Sequence, residues 1–246
     1  MVRPMRGFID LHSHFVAGID DGAPSFEVSA AMLRALRAIG FDKVIATPHM
    51  RPELFDNDKP ALEAAYERTR GALSTEPDLP ATDLGCEHFF DETVYRRLIS
   101  GGALPYPGGR AALIEFHGLD FPPAIGARLQ DVRRARLLPV IAHPERYRCF
   151  WQRTAELERL VDSGCALLLD TAALVGKYGR EPQRAAEHLL EQGLYHAACS
   201  DAHRPSDADA VAQGMARIAD LYGDDELDFL FKEGPAALLE GRQPEG

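Results

Sequence analysis

Short apolar runs recur along the chain, and longer stretches with apolar residues three and four positions apart separate them. The short runs cover residues 8–11, 43–46, 83–86, 111–115, 139–142, 165–169 and 196–199. Several are apolar at consecutive positions, as expected of parallel strands covered on both faces. Between the first two, Ser25 precedes Met32, Leu33, Leu36 and Ile39, with Gly40 behind them. That is a capped amphipathic helix with a glycine stop. Similar helical stretches cover 61–73, 91–99, 125–135, 154–161, 183–190 and 207–221. The alternation predicts an α/β fold, a central barrel or sheet wrapped by helices.

Glycine and proline collect at 101–109 and at Pro122 and Pro123, which reads as loop. A further loop-rich interval, 48–60, follows the second strand and carries Arg51, Glu53, Phe55, Asp56 and Lys59. In a strand-helix barrel it sits over the mouth. Arg133, Arg134 and Arg136 read as a solvated helix face. Nothing along residues 1–246 has the composition of an interdomain linker, so one domain is expected.

Composition narrows the class. The 246 residues are 46% hydrophobic and 26% charged, enough for a full core. A net charge of −11 disfavours nucleic acid as a partner. No run approaches the length of a membrane span, so a cytoplasmic protein without membrane insertion is expected. Cys86, Cys149, Cys165 and Cys199 form no C-x-x-C pair and read as reduced, mostly buried thiols.

The chemistry lies in the histidines and carboxylates. His12 and His14 flank Ser13 at the end of the first strand, and spacing by two turns both rings to one face. Asp10 shares their parity and is expected beneath them, fixing a ring tautomer. His49, Glu87, Glu115, His143, and Asp201 with His203 each close or follow a later strand. In strand-helix barrels these C-terminal ends form the active face, where bound cations would offset the cost of burying such groups. His88, His117, His188 and His196 fit less well and are assigned surface or structural roles.

Five motifs occur in order: Ile9-Asp10-Leu11-His12-Ser13-His14, Gly18-Ile19-Asp20-Asp21-Gly22-Ala23, Ala46-Thr47-Pro48-His49, Ala142-His143-Pro144-Glu145-Arg146-Tyr147 and Ser200-Asp201-Ala202-His203. Together they resemble the PHP superfamily, and within it the bacterial tyrosine-protein phosphatases of the CpsB/CapC type. The resemblance runs from Ile9 to the segment ending at Gly241. It implies a distorted seven-stranded (β/α)7 TIM-like barrel and three divalent metal ions, manganese first, with iron or zinc as alternatives.

Carried over motif by motif, His12, His14, Glu87 and Asp201 hold the first metal. Glu87 bridges to a second held by Glu115 and His143, while Asp21, His49 and His203 hold the third. Three dications against these four acids leave two positive charges, which match a phosphate dianion. The chain departs from the pattern at Met50, at Asp170-Thr171-Ala172-Ala173 and in the segment after His203.

The implied activity is hydrolysis of phosphotyrosine by a metal-activated hydroxide, on a protein such as a bacterial tyrosine kinase linked to polysaccharide export. Arg146 and Arg204 are the candidate phosphate contacts, and His203, Asp201 or a metal-bound water the candidate leaving-group acid. No cysteine has an arginine six positions on, so a thiolate phosphate loop is excluded. The alternatives are a PHP phosphoesterase for histidinol phosphate or another small phosphomonoester, and a noncatalytic metal-stabilised regulatory module. Asp21, where the small-substrate relatives more often carry histidine, argues against the first.

Overall fold

The computed structural model describes residues 6–117, 125–151 and 154–244. The expected loop at Pro122 and Pro123 lies outside them. Strand β1 (Phe8–Ser13) leads to helix α1 (Phe26–Ile39), where the Ser25 hydroxyl accepts from the Val28 amide and Gly40 closes the end at φ 122°. Next come β2 (Phe41–Ala46), β3 (His49–Met50), α2 (Lys59–Ala72), β4 (Ala81–Leu84), β5 (Glu87–Phe89) and α3 (Glu92–Ser100). The chain continues through β6 (Ala111–Glu115), α4 (Ile125–Arg134), β7 (Leu138–Ala142), α5 (Thr154–Asp162), β8 (Ala166–Asp170) and α6 (Arg180–Glu191). It ends with β9 (Ala197–Cys199), α7 (Asp207–Tyr222), α8 (Asp224–Asp228) and α9 (Gly234–Leu239). The last two helices have no counterpart in the sequence reading, because each is too short to show an apolar period.

Every ladder is parallel. Strands β1, β2 and β4 form one sheet, and β3, β5, β6, β7, β8 and β9 form the other. The second and third expected strands are each split, at Thr47-Pro48 and at Gly85-Cys86, so one run of chain serves both sheets. Pro48 has no amide hydrogen to continue a ladder. A side chain at Gly85 would press on the Tyr106 ring, 3.1 Å from its Cβ position. The first sheet also meets the segment after β9. The Asp201 amide donates to His12 O at 2.9 Å, and the His14 amide to Ala202 O at 2.9 Å. The described ladders are thus two parallel sheets, and one closed seven-stranded barrel is not among them.

Alternate strand positions separate two buried clusters. Leu11, Ile45, Leu113, Val140, Leu168 and Cys199 pack with Tyr106 and Leu238, while Ile114, Ile141, Leu167 and Leu169 pack with the helices. Strands buried on both faces account for the uninterrupted apolar runs. Arg133, Arg134 and Arg136 are exposed, as expected. Among the described residues no helix is long and apolar enough to cross a membrane.

Asp10 shares the face of the histidine rings but orients neither of them, their Nδ1 atoms being engaged by Thr47 and Asp20. Its Oδ1 accepts from the Ser200 amide at 2.9 Å and its Oδ2 from the Ser200 hydroxyl at 2.5 Å. Parity put it on the correct face, but two residues further down the strand, beside the end of β9. It therefore ties β1 to the Asp201 turn instead of orienting an imidazole. Burial pushes its carboxyl up to about 6, against the pull of these hydrogen bonds. Asp10→Ala would leave the buried Ser200 amide without its acceptor and the hydroxyl with His12 O alone, at a cost on the order of 2 kcal/mol. A chemical-denaturation midpoint should fall accordingly, and an unchanged midpoint would show that the tie carries no stability.

Candidate metal centre

The ends of the parallel strands bring the expected residues to one place. His12 on β1 and His14 just after it point their Nε2 atoms at the same carboxylate oxygen, Asp201 Oδ1, at 3.2 and 3.4 Å. Glu87 on β5 lies between them: Oε1 is 3.3 Å from His12 Nε2 and Oε2 is 3.5 Å from His14 Nε2. Glu87 also reaches His143 Nε2 at 3.0 Å and His49 Nδ1 at 2.9 Å. Glu115, at the end of β6, is 3.9 Å from His49. Asp21 Oδ1 lies 3.4 Å from His49 Nε2 and 3.5 Å from His203 Nε2.

Two ligand residues owe their aim to unusual backbone. His143 and Asp201 have φ of 35° and 43°, in the left-handed region that costs a non-glycine residue of order 1–3 kcal/mol. Each stands in the sharp turn after its strand, and the surrounding hydrogen bonds enforce it. His143 donates its amide to Leu168 O at 2.9 Å.

The ring orientations are set by groups that the sequence reading did not assign. Thr47 Oγ1 lies 2.6 Å from His12 Nδ1 and accepts from the Ser13 amide at 3.1 Å. Asp20 Oδ2 lies 2.8 Å from His14 Nδ1 and accepts from the His49 amide, while its Oδ1 accepts from the Gly22 amide. Gly22 is required at that turn, since a Cβ there would sit 2.0 Å from His14 O. With Nδ1 engaged, His12 and His14 turn Nε2 inward. His203 does the same, its Nδ1 being 3.0 Å from Asp201 O. The signal for Asp20 was its place beside Asp21, and for Thr47 its place before Pro48-His49.

Nε2 of His12 and His14, Nδ1 of His49, Oε2 of Glu115 and Oδ1 of Asp201 are all buried without an aligned hydrogen bond. Stranding so many polar atoms in one place is costly unless something else satisfies them. Four ligand atoms bound at ~2.1 Å around a tetrahedral ion stand ~3.4 Å apart, the spacing observed between these donors. Four overlapping groups could hold an ion: His14 with Asp21, His49 and His203; His12 with His14 and Glu87; His12 with His143 and Asp201; and His49 with Glu87 and Glu115. All nine expected ligands fall in this cluster. Their grouping differs from the expected partition, because His14 also faces Asp21, and His49 lies with Glu87 and Glu115.

Mutual electrostatics match. Burial opposes ionisation of Glu87, but His12 and His49 outweigh it and hold its carboxyl well below the usual range. Asp201 is held low in the same way by His12, His14 and Arg146. Glu115 is pushed up to about 7, by burial and then by the charge of Glu87. His143 falls to about 4 through burial and the nearby Arg146. Such opposed shifts are typical of a functional site.

Arg146 does not pair with Glu145. Its Nη1 is 2.5 Å from Asp201 Oδ2 and 3.6 Å from Asp170 Oδ2, and its guanidinium lies 4.6 Å from the Tyr178 ring centre. Glu145 is buried beneath, accepting from the Asp170 amide and the Tyr195 hydroxyl. Arg204 is exposed, with its backbone amide held by Asp207 Oδ2 at 2.9 Å. It is not among the residues lining the cavity of ≈ 150 Å³ over the cluster, whereas Arg51 and Arg146 both are. Holding the 203–204 amides on Asp207, at the start of α7, leaves that arginine outside. His88 and His196 are buried structural residues, bonded to Leu113 O and the Leu167 amide, while His117 and His188 are exposed.

Comparison with known proteins decides the family. Residues 8–240 match the family described as capsular polysaccharide synthesis, CpsB/CapC. The chain belongs to that family. It is 30% identical over 242 residues to the tyrosine-protein phosphatase YwqE of Bacillus subtilis, covering 96% of this chain and 94% of that protein. It is 26% identical over 237 residues to the tyrosine-protein phosphatase CpsB of Streptococcus pneumoniae, covering 94% and 98%. A crystal structure from work on those two proteins, described as unique metal-dependent tyrosine phosphatases, superposes with a TM-score of 0.86. That match has 28% identity and covers 95% of each chain.

The orienting role of Asp20 can be tested directly. In Asp20→Asn a single oxygen would have to serve the donors of Gly22, His14 and His49. Loss of such a supporting partner lowers metal affinity by roughly 10- to 100-fold. Competition with a chelating dye should report that loss in a protein whose circular dichroism is unchanged. Equal affinity in the variant would remove Asp20 from the site.

Proposed function

We propose that this protein is a metal-dependent protein-tyrosine phosphatase. It holds three divalent ions, manganese foremost with iron or zinc as alternatives, and acts on a phosphotyrosine protein such as a bacterial tyrosine kinase linked to polysaccharide export. The observation that carries this reading is the convergence of unsatisfied imidazole and carboxylate atoms on a cavity that Arg146 also faces. Similarity to proteins named tyrosine-protein phosphatase over nearly the whole chain supports the same reading. The seven strand runs are read as one distorted barrel in a single domain, and the free cysteines suit a reducing cytoplasm.

His12, His14, Asp21, His49, Glu87, Glu115, His143, Asp201 and His203 are the proposed ligands. Divalent ions there supply positive charge for a phosphate dianion and acidify coordinated water. Arg146, steadied by Asp201, Asp170 and Tyr178, offers its fork to phosphate oxygens. Water adds its oxygen to phosphorus as the bond to the tyrosine oxygen breaks, giving inorganic phosphate and free tyrosine. A leaving phenolate of pKa ~10 needs only modest protonation. Asp201 is held ionised, so it anchors Arg146 and binds metal, and with His203 Nε2 also among the ligands the leaving phenolate takes its proton from water.

The thiols offer no competing route. Burial raises Cys86 and Cys199 well above the usual thiol range and Cys165 to about 11. Thiolates are what attack phosphorus, and burial suppresses them at these three cysteines, while half-buried Cys149 lacks the arginine six positions on that a thiolate phosphate loop requires.

Phosphotyrosine peptide hydrolysis should cease on chelation, return with manganese and survive replacement of all four cysteines. The peptide should be turned over faster than histidinol phosphate. Hydrolysis that persists in the fully metal-free protein, or that is lost in a folded and metallated cysteine-free variant, would contradict this mechanism. A faster rate on histidinol phosphate would leave the metal site and overturn the substrate.

A further inference from the structure

The loop after β3 carries a cation that the reading above leaves unused. Arg51 lines the same cavity as Arg146, yet among the described residues it has no carboxylate within ion-pair distance. Its guanidinium instead lies 4.1 Å from the centre of the Phe89 ring, on the strand that carries Glu87. Arg146 is in a different condition, its Nη1 already engaged by Asp201 and Asp170, so that only the rest of its fork is left for an anion. An unpaired guanidinium beside a phosphate-sized cavity is an anion receptor that needs no partner displaced.

The segment is built to hold that arginine still. The Arg51 amide donates to Phe55 O at 3.1 Å and the Phe55 amide to Arg51 O at 2.8 Å, closing a tight turn with Glu53 at φ 70°. Asn57 anchors the turn, donating to Ile19 O and His49 O, and its own carbonyl accepts from Arg97. The turn also presents apolar surface at the cavity. The Phe55 ring stacks on His49 at 5.2 Å with an interplanar angle of 4°, and Leu54, also lining the cavity, is 59% exposed. A large apolar side chain exposed beside a charged cavity suits a ligand with an aromatic body and an anionic head.

We propose that the 51–55 turn is the substrate-recognition wall, Arg51 binding the phosphate opposite Arg146 while Leu54 and Phe55 receive the aryl ring of the ester. This rests on the phosphatase reading and assigns to Arg51 the second-arginine role that Arg204, outside the cavity, does not fill. It also makes the site selective for aryl over alkyl phosphates.

The test uses the metal-loaded protein, with inorganic phosphate, 4-nitrophenyl phosphate and glycerol phosphate as probes. In Arg51→Ala, phosphate affinity by calorimetry should fall roughly 10-fold and the KM for 4-nitrophenyl phosphate should rise in step, with kcat much less affected. Arg51→Lys should recover part of the affinity. Leu54→Ser should raise KM for 4-nitrophenyl phosphate several-fold more than that for glycerol phosphate, and should lower phosphate affinity far less than Arg51→Ala does. Unchanged phosphate affinity and KM in Arg51→Ala would overturn the proposal, as would loss of metal or of thermal stability accounting for the whole effect. If the parent cleaves no phosphomonoester but binds phosphate through Arg51, the phosphatase reading fails and the anion site stands. If the parent is active and Arg51→Ala matches it, only this inference fails.

Discussion

The Glu87 carboxylate is the constraint around which the site is arranged. It is almost completely buried and lies within 3.5 Å of nitrogen atoms from His12, His14, His49 and His143, which come from β1, β3 and the turn after β7. A buried carboxylate is expensive unless opposite charge surrounds it. The four rings supply that charge only when protonated, and mutual repulsion and burial oppose protonation of all of them together. Divalent ions held there would resolve the conflict. They would let every imidazole stay neutral and every carboxylate stay ionised, which is the state in which each can be a ligand.

The remaining architecture serves that arrangement. Parallel strands deliver their C-terminal ends to one face, and the short turns beyond them aim the ligands. Two of those turns are strained, at His143 and Asp201, and rigid ties hold them: Asp10 to Ser200 on one side, and Glu145 to Asp170 and Tyr195 on the other. Asp201 joins the two halves of the chemistry, because one of its oxygens faces His12 and His14 and the other faces Arg146. A phosphate contact at Arg146 and a metal held at His12 and His14 would therefore be coupled through a single side chain.

Much of this was legible in the sequence because it is written in local pattern. Ser25 and Gly40 bound α1 as expected, and the apolar runs at 111–115, 139–142 and 165–169 fall on β6, β7 and β8 to within a residue or two. Eight of the nine candidate ligands could be picked out because each ends or follows such a run, and Asp21 came from the resemblance of its Gly18–Ala23 motif. What escaped the reading depends on contacts distant in sequence. Strand parity gave the face of Asp10 but not its reach toward Ser200, 190 residues away. Thr47 orients the His12 ring 35 residues away, whereas Asp20 is only six residues from His14; for both the one signal was a place in a motif, which does not separate an orienting group from an ordinary turn residue. Asp170 escaped because the apolar run ends at Leu169, whereas the strand continues one residue further. Arg204 read in the sequence as the second phosphate contact, behind Arg146, and only the cavity lining shows that it sits outside, with its amide held by Asp207.

The central claim is that the cluster around Glu87 is a multinuclear metal site, and the most direct test is elemental analysis of the gently purified protein beside its Glu87→Ala variant. The account predicts more than one equivalent of divalent transition metal per chain in the parent. It also predicts a marked deficit in the variant that added manganese does not correct. A folded parent that carries no such metal and takes none up on addition would contradict it.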